Sequence, residues 1–242
     1  MMEADRESHG RTPMYAEIRG IRLYYELVGS GRPLVMLHGN GEDHTIFQEA
    51  ADVLSRQFAC YLIDSRDHGN STAVKELHYN DMAEDIIAFL EALNLNDVVL
   101  YGFSDGGIVG LLTCMKTDRV TDLIVSGANL TPDTVTGPIK VLINVLGRVT
   151  NDEKMRLMLY EPNIDPEDLG RIKARTLVLA GSHDAVKQEE TERIAAHIPN
   201  AELRILPSEG HGSYIVHSRR IADILLGWLN TERQEVWNSK QE

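Results

Sequence analysis

The run Val98-Val99-Leu100-Tyr101-Gly102-Phe103-Ser104-Asp105-Gly106-Gly107-Ile108-Val109-Gly110 decides how the rest of the chain reads. Apolar residues lead into a Gly-x-Ser-x-Gly turn, Gly102 to Gly106, and a helical apolar pattern follows. Strand, sharp turn and helix put a serine at the apex. Gly102 and Gly106 remove side chains that would clash in so tight a turn. The turn lifts the Ser104 hydroxyl clear of the sheet edge. It also sets the backbone N–H of Asp105 at a helix N-terminus, where the dipole favours developing negative charge.

Outward from this turn the chain alternates between strands and helices. Toward the N-terminus, Tyr15 to Val28 reads as a hairpin about Arg19-Gly20, and Leu34 to Leu37 is a short continuous apolar run, the mark of a strand buried on both faces. It ends in His38-Gly39-Asn40-Gly41, with a helix expected from Asp43 or Thr45 to Ser55. Phe58 to Ile63 is the next strand, and Tyr79 to Leu93 has helical spacing. Toward the C-terminus, Val120 to Val125, Thr176 to Ala180 and Leu203 to Leu206 read as strands, and Glu189 to His197 and Val216 to Leu229 as helices. Strands joined by helices in this way predict an α/β fold: a mostly parallel sheet with helices on both faces. The alternation pauses between Leu130 and Lys173, where Ile139 to Val149 and Glu153 to Tyr160 are the expected helices. The reading is therefore a core of residues 14–129 and 174–230, a short helical insertion at 130–173, and flexible termini at 1–13 and 231–242.

Composition narrows the classes of function. The 242 residues carry a formal net charge of −13, which argues against nucleic acid and against anionic membrane surfaces as partners. The two cysteines, Cys60 and Cys114, lie in apolar runs and read as buried thiols. No 18-residue apolar run marks a membrane span, and the polar N-terminus lacks the apolar core of a signal peptide, so a cytoplasmic location is the default expectation. The nine histidines show no spacing that a zinc site prefers, and no metal or other cofactor is expected.

In an open parallel sheet, functional groups gather at the carboxyl ends of strands. His38, Asn40, Asp64, Ser104, Asp184 and His211 all follow strands in this reading. A serine hydroxyl needs a base within hydrogen-bond reach, and that base needs an orienting acid. His211, in a glycine-flanked turn after the last strand, is the candidate base, and Asp184 the candidate acid. A tetrahedral intermediate needs two N–H donors; Asp105 supplies one and the His38-Gly39-Asn40-Gly41 loop the other, through Asn40. His38 is expected to bond the loop backbone and shape this site, beside Gly39. His44 and His68 are expected at the surface or behind the site, and His183 as a bystander. Phe47 and Phe103 are candidate pocket walls. The apolar run that includes Leu142 and Met158 packs on the core, roofs an acyl pocket or forms a dimer contact.

The chain resembles the α/β hydrolases from Tyr15 to Leu229. The His38-Gly39 loop, the Gly102-Phe103-Ser104-Asp105-Gly106 elbow, Asp184 and His211 match the family's motifs in order. Asp64 to Ser71 is similar to the family's Asp-x-Arg-Gly-x-Gly-x-Ser turn, with Asp67 where that pattern has glycine. The resemblance implies that residues 130–173 are the lid. It also implies a serine hydrolase that cleaves a small, apolar ester or thioester through an acyl-enzyme on Ser104. Within the family the same residue set serves carbon–carbon bond hydrolases and cofactor-free perhydrolases. A ligand-binding protein on the same scaffold is the reading from another class.

Overall fold

The computed structural model describes residues 10–239, with side chains as far as Thr231. Eight strands form one sheet: β1 (Thr12–Ile18), β2 (Ile21–Val28), β3 (Arg32–Leu37), β4 (Phe58–Ile63), β5 (Val98–Phe103), β6 (Val120–Ser126), β7 (Arg175–His183) and β8 (Ala201–Gly210). Their order is β1-β2-β4-β3-β5-β6-β7-β8. β1 and β2 form the hairpin, β2 meets β4 antiparallel, and every later pair is parallel. β5 therefore sits mid-sheet, buried at all six positions, as its unbroken apolar run requires.

Helices cover both faces. α2 (Tyr79–Ala92), α3 (Asp105–Cys114) and α6 (Gln188–His197) bury Met82, Ile86, Phe89, Ile108 and Ile194 on one side. α1 (Gln48–Leu54) and α7 (Arg220–Ser239) cover the other. On α7, Ile221, Ala222, Leu225, Trp228 and Leu229 recur at helical spacing and form its buried stripe. The insertion between β6 and β7 holds α4 (Gly137–Val149) and α5 (Glu153–Tyr160), packed against each other. Among the described residues, no helix is long and apolar enough to cross a membrane.

The ends differ from expectation. Thr12 and Pro13 pair with Leu27 and Glu26, and the Arg11 guanidinium bonds the Gln48 carbonyl and the Asp52 carboxylate, so the sheet begins inside the segment expected to be loose. At the other end α7 continues past residue 230 to Ser239. The last helix also starts at Arg220, since Gly212 to Ser218 forms tight turns instead. The remaining terminal residues lie outside the described ones.

Candidate active site

The site is assembled at the carboxyl end of β5. Ser104 has φ 53° and ψ −116°, a strained backbone that holds its side chain at the apex of the turn. The glycines are obligatory for steric reasons: a Cβ on Gly102 would collide with the Gly106 carbonyl, and one on Gly106 with the Leu37 carbonyl. Thus β3, β5 and α3 meet with no side chain between them. The Ser104 N–H donates to the Ser126 carbonyl on β6 at 2.8 Å, and this fixes the turn to the neighbouring strand.

Three side chains expected to converge do so. His211 Nε2 lies 3.0 Å from Ser104 Oγ, and His211 Nδ1 lies 2.6 Å from Asp184 Oδ1. Asp184 also accepts from the backbone N–H groups of Val186 at 3.0 Å and Gly181 at 3.3 Å. Burial alone would raise its pKa, but the hydrogen bond and charge of His211 outweigh burial and hold it below the usual carboxylate range. An ionised Asp184 keeps the imidazole proton on Nδ1 and leaves Nε2 as an acceptor facing the serine. The Phe103 ring lies 5.0 Å from that of His211, tilted by 46°.

The His38 loop lies alongside. A Cβ on Gly39 would sit 2.7 Å from Glu42 Oε2 and 3.3 Å from Ser104 Cβ, so a larger residue there crowds the loop against the serine. His38 is buried behind the loop; its Nδ1 is 2.7 Å from the Gly39 carbonyl and its Nε2 accepts from the Ser65 N–H at 3.0 Å. Burial, with the neighbouring His68, pushes its pKa down to about 4, so the ring is neutral and Nε2 can accept. The Asn40 side chain reaches across to α3, where its amide donates to Asp105 Oδ2 at 2.8 Å, and to the Lys154 carbonyl at 3.2 Å. Loop, elbow and insertion are thereby joined at one amide.

Several residues lie elsewhere than expected. Phe47 is fully buried on the opposite side of the sheet, its ring 5.7 Å from that of Tyr101, because α1 packs there under α7; it lines no part of the cleft. Leu142 is 45% exposed on the outward face of α4, with Val141 and Val145, while Ile139 and Ile143 of the same helix turn toward the serine. Met158 lines the cleft as expected. Of the two places expected for His44 and His68, the surface or behind the site, both take the second and are buried. His44 Nδ1 lies 2.7 Å from Asp64 Oδ1 and its Nε2 3.3 Å from Glu26, while His68 Nε2 accepts from the Gly41 N–H at 3.2 Å. Among the described residues, Asp43, His44 and Asp64 are the group whose ligand-type atoms come within 4.8 Å of one another. Their lone pairs serve Thr45, each other and Asn70.

The cleft above Ser104 has a volume of about 50 Å³. Its apolar wall includes Val135, Ile139, Ile143, Met158 and Val186, and its polar edge adds Tyr79, Asn129 and Glu161 to Asp105. Sequence reading missed Tyr79, Glu161 and the Asp105 side chain. The first two carry no local signal, since one opens a helix and the other follows one. Asp105 did carry one: a carboxylate after the serine and an amide in the His-Gly-Asn loop are complementary partners.

The fold matches that of known proteins. Residues 32–148 fit the family model for the alpha/beta hydrolase fold. The AB hydrolase superfamily protein YisY of Bacillus subtilis is 22% identical over 258 residues, covering 87% of this chain and 96% of that protein. Over 103 residues, 42% of this chain and 39% of the relative, the pimeloyl-[acyl-carrier protein] methyl ester esterase of Vibrio cholerae is 31% identical. Among solved structures, the enol-lactonase from Burkholderia xenovorans LB400 superposes with a TM-score of 0.78 at 18% identity, covering 90% of this chain and all (100%) of that one. The chain thus has the α/β-hydrolase fold, and the proteins it is similar to are hydrolases and esterases.

Proposed function

We propose that this enzyme is a serine hydrolase that cleaves small carboxylic esters through an acyl-enzyme on Ser104. The observation that carries the reading is the chain of contacts from Asp184 Oδ1 through His211 to Ser104 Oγ, at 2.6 and 3.0 Å. In this reading Ser104 Oγ attacks the ester carbonyl carbon and its proton passes to His211 Nε2. The imidazolium is held by Asp184 and returns the proton to the leaving alcohol. Water then repeats the sequence on the acyl-enzyme, with His211 as base, and releases the acid. The oxyanion is received by the backbone N–H of Asp105, which as a first-turn donor has no intrahelical partner, and by that of Asn40. Each such donor lowers the barrier by about 3 kcal/mol. The small apolar cleft favours a short acyl group.

A fluorophosphonate probe tests the assignment. Ser104 is expected to be labelled, and the Ser104→Ala variant to lose labelling and esterase activity together. Absence of labelling under conditions that label a control esterase counts against catalysis and for a ligand-binding role. Asp184→Asn is expected to lower kcat by about 10⁴, because the amide no longer fixes the reactive tautomer.

A further inference from the structure

The polar edge of the cleft is one-sided in charge. Asp105 is fully enclosed beside the nucleophile, and its carboxylate is held by two neutral donors, the Asn40 amide and the Tyr79 hydroxyl. Glu161, just past the end of α5, lines the same cleft. Its Oε2 accepts from the Tyr79 N–H at 3.2 Å, and its Oε1 lies 2.6 Å from His78 Nδ1 at the outer surface. Among the described residues that line the cleft, none is Lys or Arg. Lys154, whose carbonyl meets Asn40 near Asp105, turns its ammonium away to Asp67 Oδ2 at 2.6 Å. The protein charge that reaches Asp105 is that of His211. When His211 is neutral, as it must be to act as base, an ionised Asp105 is held by neutral donors alone, which is unfavourable unless something else supplies the charge.

We propose that the cleft takes esters whose acyl group carries an amino group, cationic near neutral pH, and turns away acyl groups that carry a carboxylate. This rests on the reading of Ser104 as the acylated residue and names the substrate class for it. The cation lies between Asp105 and Glu161, where each carboxylate attracts it in a low-dielectric space. An anionic acyl group there meets both carboxylates; Glu161 is compensated only from its outer side, where it raises the pKa of His78. Like charges brought within about 4 Å at a partly buried site lose well over tenfold in affinity, so the discrimination is steep.

Three p-nitrophenyl esters separate the cases: β-alanyl, butanoyl and succinyl, which are cationic, neutral and anionic, with 4-methylpentanoyl as the neutral control for the larger succinyl group. The quantity read is kcat/KM near neutral pH, each corrected for the uncatalysed rate. The expected order is β-alanyl, then butanoyl, then succinyl, with the succinyl ester about 100-fold below the butanoyl. In the Glu161→Gln variant the β-alanyl to butanoyl ratio is expected to fall by about tenfold. A succinyl ester cleaved as well as the butanoyl one, or a ratio that Glu161→Gln leaves unchanged, overturns the proposal. A protein that cleaves all three esters equally keeps the Ser104 reading and loses this one. A protein that cleaves none, and whose Ser104 resists the fluorophosphonate, loses both.

Discussion

Burial pushes the Asp105 carboxyl up to about 6, against hydrogen bonds from Asn40 and Tyr79 and the charge of His211 that pull it down. A carboxyl whose folded pKa lies above its unfolded value favours the protonated form on folding. Its ionisation therefore lowers stability as pH rises from about 4 to 6, and the loss persists above that. Asp105→Asn removes the charge but keeps an oxygen for Asn40 and a donor for Tyr79. It is expected to stabilise the protein at pH 7 by on the order of 2 kcal/mol, or about 5 °C in Tm. The difference from wild type should vanish near pH 4. Thermal melts of both proteins across that range measure it, and a variant that melts lower than wild type at pH 7 would refute the burial argument. Ser104, Asp184 and His211 were legible because each ends a strand in a turn rich in glycine or polar residues. Phe47 was misread because a phenylalanine at a helix start looks the same from either side of a sheet.

The turn from Asp64 to Ser71 shows how one element ties down others. Asp64 receives the N–H groups of His44 and Asn70, both at 2.8 Å, and pairs with the His44 ring. Burial opposes both charges, yet the hydrogen bonds between the pair and from the backbone prevail, so the Asp64 pKa is lowered and that of His44 raised. The Asp64 contribution is present above about pH 4 and lost as pH falls below it; the His44 contribution is present below about pH 6.5 and lost as pH rises through its raised value. His44→Ala, which strands a buried carboxylate, is expected to cost about 3 kcal/mol by denaturant titration. Asp67, at φ 61°, occupies the left-handed region where glycine is unstrained, and its carboxylate grips Lys154 on α5. Asp67→Gly is expected to leave the unfolding free energy within about 1 kcal/mol of wild type, since backbone relief offsets a lost ion pair. Amide exchange in α5 should nevertheless accelerate. Unchanged exchange there would show that the ion pair does not hold the insertion down. The helices α4 and α5 were legible from apolar spacing, but which face of α4 turned inward was not. An apolar stripe states that a face is covered, not what covers it, and here Val141, Leu142 and Val145 remain outside.

At the scale of the whole molecule, the sheet separates two apolar layers, one under α2, α3 and α6 and one under α1 and α7. Cys60 lies in the second layer and Cys114 in the first, and burial pushes the Cys60 thiol up to about 12 and the Cys114 thiol higher still. Neither is expected to react with a thiol reagent in the native protein at pH 8, and both should react once denaturant opens the core. Native reactivity would mean that a layer is looser than its packing implies. The layered fold was legible because strand and helix periods alternate along most of the chain. The ends were not, because Arg11 and the residues of α7 beyond 230 have polar sequences whose order comes from pairing and helix continuation rather than from an apolar pattern. The central claim is that this fold carries an acylated serine at position 104. Rapid mixing with p-nitrophenyl butanoate, acid quench and peptide mass analysis tests it most directly. The expected result is a butanoyl adduct on the peptide that contains Ser104, formed with a burst of p-nitrophenol; turnover of the ester with no adduct there, or with the adduct on another residue, would contradict it.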